Sequence, residues 1–175
     1  MKSNPICPII AIIPTTALSF NMHHEMEEWF QREFGLIPLE WDKPHWYALA
    51  RYENTLIGRI GIVKRKIRVG NSTIWVGGIS GVITSPEWRK QGIASMLLKK
   101  TAEFLAGVLN TEFGLLICRD EMAPFYLKNG WEKIEASTYF MQESGRYRYK
   151  QSSMTLRCKE RNWPQGDIDL CGLPW

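Results

Sequence analysis

Apolar side chains recur with two different periods along the first third of the chain. The short β-branched run at 9–13 predicts a strand. In 22–34, methionine and aromatic side chains recur at spacings of three and four, which predicts a helix with one apolar face. Gly35 follows as a stop signal, and the segment 36–44, with its two prolines, predicts a loop.

Three longer runs in the middle of the chain alternate between apolar and polar positions, which is typical of strands with one buried face. They cover Trp46–Tyr52, 56–66 and 74–84, and the turn sequences ENT and GNS separate them. Strands joined by such tight turns pair with their neighbours in sequence. The pattern therefore predicts an antiparallel meander of three strands.

The helical period returns after the meander and predicts a second long helix from 93 to about 109. The apolar run 115–118 then predicts a strand. We expect this strand to pair in parallel with the last strand of the meander, because a helix separates the two. The segment 122–128 predicts a short helix, which the dipeptide Asn-Gly ends.

Two more apolar runs, 131–141 and 153–159, predict the last strands. The tail, 161–175, is rich in Trp, Pro and Gly and has little periodicity, so we expect it to pack across the sheet. The order of elements predicts an α/β fold with a mixed, mostly antiparallel sheet of about seven strands and helices on both faces. At 175 residues the chain is expected to form one domain, 1–175.

The distribution of charge narrows the classes of ligand. The formal net charge is +4, which is mildly basic, so no nucleic-acid partner is expected. Basic side chains crowd 64–68, 89–100 and 146–150, whereas acidic side chains crowd 25–33. A basic zone suits a phosphorylated ligand and an acidic zone a cationic ligand. The alternative is that both zones are solvated surface.

The four cysteines are scattered, and their spacing matches neither a zinc site nor a Cys-x-x-Cys redox pair. We therefore expect no metal ion, and we expect reduced thiols in a cytoplasmic protein. The apolar stretch at 5–14 is interrupted by prolines, which favours a strand over a signal peptide. No apolar run approaches the ~20 residues of a membrane span, so no membrane partner is expected.

The corner between the meander and the second long helix reads SPEWRKQGIASMLLKK, at 85–100. The first amides of a helix have no partners within the helix, and the helix dipole adds positive charge there. Gly92 lets the backbone come close to a ligand, Ala94 keeps the next turn small, and Arg89 and Lys90 add charge. This chemistry suits a diphosphate. The alternative is an exposed basic helix start.

Two motifs make the chain resemble the GNAT superfamily of N-acetyltransferases. Residues 89–94, RKQGIA, match its R/Q-x-x-G-x-G/A signature at the start of a helix that follows a meander. The segment 125–134, FYLKNGWEKI, is similar to its Y-x-x-x-G-F/W segment. The resemblance covers roughly 45–160, and it implies the GNAT fold, acetyl-CoA as the acetyl donor and a homodimer.

The resemblance also implies where the donor binds. The diphosphate would lie on the amides at 91–95, and the pantetheine arm would pair with the strand before the corner, where Gly81 permits a bulge. The cofactor-binding residues implied in this way are Val82, Ile83, Thr84, Arg89, Lys90, Gln91, Gly92, Ile93, Ala94 and Ser95.

For catalysis, the resemblance makes Tyr126 the general acid that protonates the thiolate of CoA, and an amide near Ile83 the group that polarises the thioester. The identity of the general base is not fixed by the resemblance. Ser80 falls where some relatives carry a glutamate, so a water chain would have to act there. The other candidates for the base are carboxylates, namely those of Glu25, Glu28, Asp169 and the terminal carboxylate of Trp175.

The tail is similar to that of the aminoglycoside 2′-N-acetyltransferase branch of the superfamily. The dipeptide Leu170-Cys171 and the terminal Trp175 match, although Gly172 stands where that branch has an acidic residue. An aminoglycoside carries several ammonium groups, which clustered carboxylates and aromatic faces would bind. The substrate-binding residues expected on this basis are Glu25, Glu28, Asp42, Asp167, Asp169 and Trp175.

The sequence thus predicts an acetyl-CoA-dependent N-acetyltransferase that transfers the acetyl group directly, in a ternary complex, to a primary amine. The first acceptor to consider is an aminoglycoside or a similar cationic amino sugar. The same chemistry on a protein or peptide amine, or on a small metabolite amine, is the second hypothesis. A CoA-binding sensor without catalysis is the third.

Overall fold

The computed structural model describes residues 7–35 and 38–175. This part of the chain contains α-helices at Phe20–Phe34 (α1), Ile93–Gly107 (α2) and Ala123–Lys128 (α3). Among the described residues, no helix is both long enough and apolar enough to cross a membrane.

Helix α1 begins and ends at residues whose side chains and backbone favour helix termini. The hydroxyl of Ser19 accepts a hydrogen bond of 3.3 Å from the amide of Met22, which satisfies one of the free amides of the first turn. At the other end, Gly35 has a φ of 69°, a conformation that glycine adopts readily. The predicted helix at 22–34 is therefore confirmed, and it begins two residues earlier.

Ten strands form one sheet within the described residues. They are Ile9–Pro14 (β1), Trp46–Tyr52 (β2), Thr55–Val69 (β3), Ser72–Thr84 (β4), Phe113–Cys118 (β5), Glu132–Ile134 (β6), Thr138–Gln142 (β7), Gly145–Tyr149 (β8), Ser152–Arg157 (β9) and Ile168–Asp169 (β10). Their spatial order is β6-β9-β5-β4-β3-β10-β7-β8, and β2 lies between β1 and the first half of β3.

The predicted meander is confirmed, because β2, β3 and β4 pair antiparallel in sequence order. The predicted parallel pair is also confirmed. It joins β4 to β5 over three residues only, from Val76 opposite Phe113 to Gly78 opposite Leu115. The short parallel ladder leaves the second halves of β4 and β5 without strand partners on their facing edges.

Side chains on β2 alternate between the two faces of the sheet, which carry α2 and α3 on one side and α1 on the other. Ala48 and Ala50 belong to the core cluster that contains the buried side chains of α2. Tyr47 and Leu49 belong instead to the cluster that contains Met26 and Trp29 of α1. The prediction of helices on both faces is therefore confirmed.

The sequence predicted one strand over 131–141, and the structure divides this segment in two. Strand β6 pairs with β9, whereas β7 pairs with β8 and β10 on the far side of the sheet. The break falls at 135–137, where the amide of Ser137 bonds the carboxylate of Asp167 at 3.2 Å rather than a neighbouring strand.

Strands β8 and β10 were not predicted, and the segment 131–141 forms two strands, so the sheet has ten strands where about seven were expected. Strand β8 reads GRYRY, an alternation of only four residues that is mostly exposed and therefore gives a weak signal of a strand. Strand β10 has two residues, too few for any periodic signal, and exists because β3 and β7 pair with it on both sides.

Candidate active site

The strands β4 and β5 separate after Gly78 and Leu115 and leave a cavity of about 540 Å³ between them. At the narrow end of this gap lies the indole of Trp175, which is 3% exposed. Its Nε1 donates a hydrogen bond of 3.3 Å to the carbonyl of Leu115. Any side chain at Gly78 would collide with the indole, so the glycine allows Trp175 to close the gap at this end.

Strand β4 carries a bulge beside the cavity. Gly81 has a φ of 51°, and the register between β3 and β4 shifts between Arg59 and Gly61. The bulge that Gly81 was expected to permit is therefore confirmed. Because of it, the end of β4 turns its edge to the cavity, and Val82, Ile83 and Thr84 all line that cavity.

The start of α2 forms the next part of the cavity wall. Gly92 caps the helix with a φ of 82°, and its carbonyl accepts the amide of Met96 at 3.0 Å. The amides of the first helical turn, at 93–95, precede the first intrahelical bond and need other partners. Gly92, Ile93, Ala94 and Ser95 all line the cavity.

The charged residues of the corner differ in what they contact. Lys90 lines the cavity. Arg89 lines it too, but its Nη2 pairs with both carboxylate oxygens of Glu33 at 2.8 and 2.9 Å. The side chain of Gln91 turns away and donates to the carbonyl of Glu87 at 3.0 Å. Gln91 is thus the one residue of the expected cofactor set that does not line the cavity.

Three proton donors line the wall opposite β4, namely Cys118, Tyr126 and Tyr149. Burial raises the pKa of each of them, and the neighbouring acidic groups raise it further. The pKa of the Cys118 thiol rises to about 11, and that of Tyr149 rises to about 12. Tyr126 is 7% exposed, and its pKa rises well above that of a free phenol. All three groups therefore stay protonated at neutral pH.

A second cavity of about 290 Å³ adjoins the first one. The two share four lining residues: Phe30, Trp41, Ser80 and Trp175. Ser80, which the sequence placed near the general base, therefore lies where the two cavities meet. Asp42, expected to bind the substrate, lines the second cavity, but its carboxylate pairs with the guanidinium of Arg65.

Arg59 lines the second cavity as a buried cation, with 2% of its side chain exposed. Its Nη1 donates to the carbonyl of Met26 at 2.7 Å, and its guanidinium carbon lies 5.0 Å from the centre of the Tyr47 ring. Burial lowers the pKa of Arg59 and raises the pKa of Tyr47. Arg59 was not among the predicted site residues, although an arginine inside the otherwise apolar run LIGRIGIV is a recognisable signal.

The acidic residues of α1 correct the sequence-based expectation. Glu25 and Glu28 lie on the exposed side of the helix, and Glu28 pairs with His24 at 3.3 Å, so neither lines the second cavity. The reason is helical geometry: α1 buries Met26 and Trp29, which turns 25 and 28 outward. Glu27, which no sequence pattern singled out, lines the second cavity together with Asp42.

The acidic residues of the tail also lie elsewhere. The carboxylate of Asp169 pairs with Arg68 at 3.0 Å and with Arg146 at 3.5 Å. Asp167 accepts the amide of Ser137. Both residues support β10 between β3 and β7, and neither lines the first or the second cavity, so the carboxylates expected to cluster do not come together there.

The tail itself packs against β3 and the loop before β2. Nη1 of Arg65 donates to the carbonyls of Leu170 at 3.1 Å and Leu173 at 2.6 Å. The amide of Asp42 donates to the carbonyl of Pro174 at 2.7 Å. These bonds hold the side chain of Trp175 at the point where the two cavities meet.

Comparison with known proteins places these features in a family. The family described as Acetyltransferase (GNAT) domain matches residues 10–134. The aminoglycoside 2′-N-acetyltransferase of Mycolicibacterium fortuitum is 24% identical over 99 residues, which cover 57% of this chain and 50% of that protein. The chain thus spans about half the length of this curated relative.

Solved structures share the fold. ElaA from Escherichia coli has a TM-score of 0.63 and 12% identity over 86% of this chain and 100% of its own. YhbS from Escherichia coli, a GNAT family N-acetyltransferase in complex with CoA, has a TM-score of 0.61 and 13% identity over 97% of this chain and 93% of its own. Eis1 from Mycobacterium abscessus has a TM-score of 0.57 and 22% identity, over 75% of this chain and 32% of its own. The family match covers well over half of the residues, and the chain belongs to the GNAT acetyltransferase domain family.

Proposed function

We propose that the protein is an acetyl-CoA-dependent N-acetyltransferase that acts on a primary amine by direct transfer in a ternary complex. The observation that carries the proposal is the gap between β4 and β5, which opens toward the first amides of α2. GNAT domains use acetyl-CoA, and YhbS, which shares the fold, was solved with CoA. Bound acetyl-CoA supplies an acetyl group activated as a thioester.

The residues around the larger cavity fit this donor. The amides at 93–95 and the charge of Lys90 suit a diphosphate. The edge of β4 at 82–84 offers backbone groups that can pair with the amides of a pantetheine arm, as an added strand would. Arg89 can join the diphosphate when it leaves Glu33.

The wall opposite β4 supplies the proton that the leaving thiolate needs. Tyr126 is buried and stays neutral, so it can donate its hydroxyl proton to sulfur. An amide on the β4 edge, near Ile83, is the group that we propose to polarise the thioester carbonyl. Cys118 and Tyr149 line the same wall, and each carries a further group that can donate a proton.

The amine must lose a proton before it attacks, and the second cavity offers a route. Ser80 lies where the two cavities meet and can orient a water molecule. Glu27 lines the second cavity and carries the carboxylate that can accept the proton through that water. We therefore propose Glu27 as the base and Ser80 as the residue that positions the water. Trp175 forms the wall behind them.

For the acceptor, we propose a small metabolite that carries a primary amine. A second candidate is an aminoglycoside or a similar cationic amino sugar, and its support is the relative from Mycolicibacterium fortuitum. The aromatic rings of Trp41 and Trp175 would suit a sugar. The charges favour the first candidate, because Asp42 is paired and Asp167 and Asp169 lie elsewhere. The homodimer that the resemblance implies stays a prediction.

Release of free CoA from acetyl-CoA, measured with a thiol reagent, tests the proposal. The panel of acceptors contains small metabolite amines, a peptide with a free N-terminus and a kanamycin-type aminoglycoside. We expect turnover with at least one class, and mass spectrometry should show a single added acetyl group on the acceptor. No turnover with any amine, while calorimetry shows that CoA binds, would contradict the transferase and favour a CoA sensor.

A further inference from the structure

The charge of Arg59 is only partly offset by the protein, because the carboxylate of Glu27 favours the charged form without contacting the guanidinium. Its side chain is 2% exposed. In the described part of the chain, 7–35 and 38–175, no carboxylate lies within ion-pair distance of its guanidinium. Burying a cation is costly unless an opposite charge or several hydrogen bonds compensate it. Such an arginine therefore has an energetic reason to attract an anion.

The protein leaves part of the guanidinium free to bind one. Nη1 donates to Met26 at 2.7 Å, and Nε lies 3.4 Å from the carbonyl of Gly81. The rings of Tyr47 and Phe30, at 5.0 and 5.5 Å, hold the charge in place without neutralising it. The phenol of Tyr47 also interacts with the guanidinium, and within the described part of the chain Nη2 donates no hydrogen bond of 3.5 Å or shorter.

Nη2 of Arg59 lies close to Gly81 on β4. It is the atom that a side chain at Gly81 would meet first. Gly81 lines the larger cavity and Arg59 lines the smaller one, so Nη2 lies at the boundary between the two. A ligand group held there would be close to the place where the donor and the acceptor must meet.

Besides Arg59, the second cavity is lined by charged residues of both signs. Lys43 lines it as a second cation, and Asp42 is offset by Arg65. Glu27 is left as the carboxylate without an ion-pair partner among the described residues. A polycation would meet the repulsion of Arg59, whereas a molecule with one amine and one anionic group would find a partner for each.

We propose that Arg59 binds a carboxylate of the acceptor, and that the acceptor is a small amino acid-like amine. This inference rests on the proposed function. A carboxylate matches the planar, forked donors of a guanidinium, and its amine would then lie toward Ser80 and Glu27. The cavity volume of about 290 Å³ is at the small end of ligand pockets, which suits such a molecule.

Matched pairs of acceptors test the proposal. Each pair consists of an amino acid and its carboxamide, for example β-alanine with β-alaninamide and 4-aminobutanoate with 4-aminobutanamide. We expect the wild-type protein to favour the acid over the amide in kcat/KM by about 10- to 100-fold for the pair of best length. The absence of a preference for the acid in every pair, or kcat/KM for kanamycin above that for every acid, would overturn the proposal.

Substitution of Arg59 separates a binding role from a purely structural one. In Arg59→Gln the ratio of acid to amide should fall to near one, whereas Arg59→Lys should retain part of it. If Arg59 served only to hold α1 on the sheet, both members of a pair would lose activity equally and the ratio would not change. The control is Arg51→Gln, which removes a cation from β2 that does not line the second cavity.

A binding measurement keeps the inference testable if no amine is acetylated. Calorimetry with CoA-saturated protein compares N-acetyl-β-alanine with its carboxamide. Tighter binding of the acid, lost in Arg59→Gln, would support the carboxylate site even if the transferase proposal failed. Equal binding of the two compounds by the wild-type protein would overturn the site.

Discussion

At the scale of single residues, the wall opposite β4 carries the side chain that we propose to protonate the leaving thiolate. Tyr126 lies on α3 with its ring packed against Phe125 and Trp131 at 5.2 and 6.3 Å between centroids. The motif in the sequence pointed to this residue. It did not point to Cys118 or Tyr149, because their place on the wall depends on strands that are distant in sequence.

Replacing Tyr126 by Phe should lower kcat by about 100-fold, because the thiolate then leaves without a positioned proton donor. Steady-state kinetics with acetyl-CoA and the best acceptor measures the change. Since burial raises the pKa of Tyr126, the wild-type kcat should show no loss from this group up to a pH of about 10.

Tyr147→Phe is the matched control for this prediction, because Tyr147 is an exposed tyrosine on β8 that does not line the larger cavity. Tyr149→Phe examines the other phenol of the wall. A larger loss of kcat in Tyr149→Phe than in Tyr126→Phe would assign the proton donor to Tyr149 instead.

At the scale of elements, α1 contacts both parts of the proposed active site. It presents Glu27 and Phe30 to the second cavity, and Glu33 to Arg89 at the corner before α2. Arg89 cannot use the same donors for Glu33 and for a diphosphate. Binding of CoA and the position of α1 are therefore coupled through one exposed ion pair.

Glu33→Gln should bind CoA more tightly than the wild-type protein does, by about 1.5- to 5-fold, because Arg89 no longer has to leave a carboxylate. Calorimetric titration with CoA at low salt measures the dissociation constant. Glu25→Gln is the control, since it removes the same charge from the exposed side of α1. Weaker binding in Glu33→Gln would mean that Glu33 instead holds Arg89 in its binding position.

The elements also show where sequence patterns succeed. The strands of the meander and the helix α2 have strong hydrophobic periods. Each strand of the meander also pairs with its neighbour in sequence, so these elements were predicted. The segment 131–141 has one continuous pattern but two partners, β9 for β6 and β8 with β10 for β7. Partner choice is not local, and the period of a strand contains no information about it.

At the scale of the whole molecule, the buried proton donors make stability depend on alkaline pH. The unfolded chain loses protons from Cys and Tyr near their ordinary pKa values of about 8.5 and 10. The folded protein keeps those protons to higher pH, since the pKa of Cys118 is raised to about 11 and that of Tyr149 to about 12. The folded state then binds more protons than the unfolded state, so the free energy of unfolding falls as pH rises.

We expect Tm to be flat below a pH of about 8 with respect to these groups, and to fall as pH rises from about 9 to 11. Differential scanning calorimetry in a series of buffers measures this. Tyr126→Phe should make the fall less steep, because it removes a buried phenol, whereas Tyr147→Phe should leave the slope unchanged. A Tm that rises over this range would contradict the assignment of these groups as buried acids.

The sequence by itself determined the family and the order of the main elements, and it predicted the donor site. These follow from local features: the periods of the meander and of α2, the positive φ that Gly92 and Gly81 permit, and the short motif around Tyr126. Each depends on residues that are close together along the chain, so a linear pattern contains it.

Only the tertiary structure decided which residues line the second cavity, where we propose that the acceptor binds. Glu27 faces the second cavity while Glu25 and Glu28 do not, Asp42 is offset by Arg65, and Arg59 is buried with a free Nη2. Trp175 meets Gly78 across nearly a hundred residues of chain. Charge and burial are properties of packing between distant segments, and this packing is the basis on which we propose an acceptor that carries an anion rather than the polycation that the acidic composition of α1 and the tail had indicated.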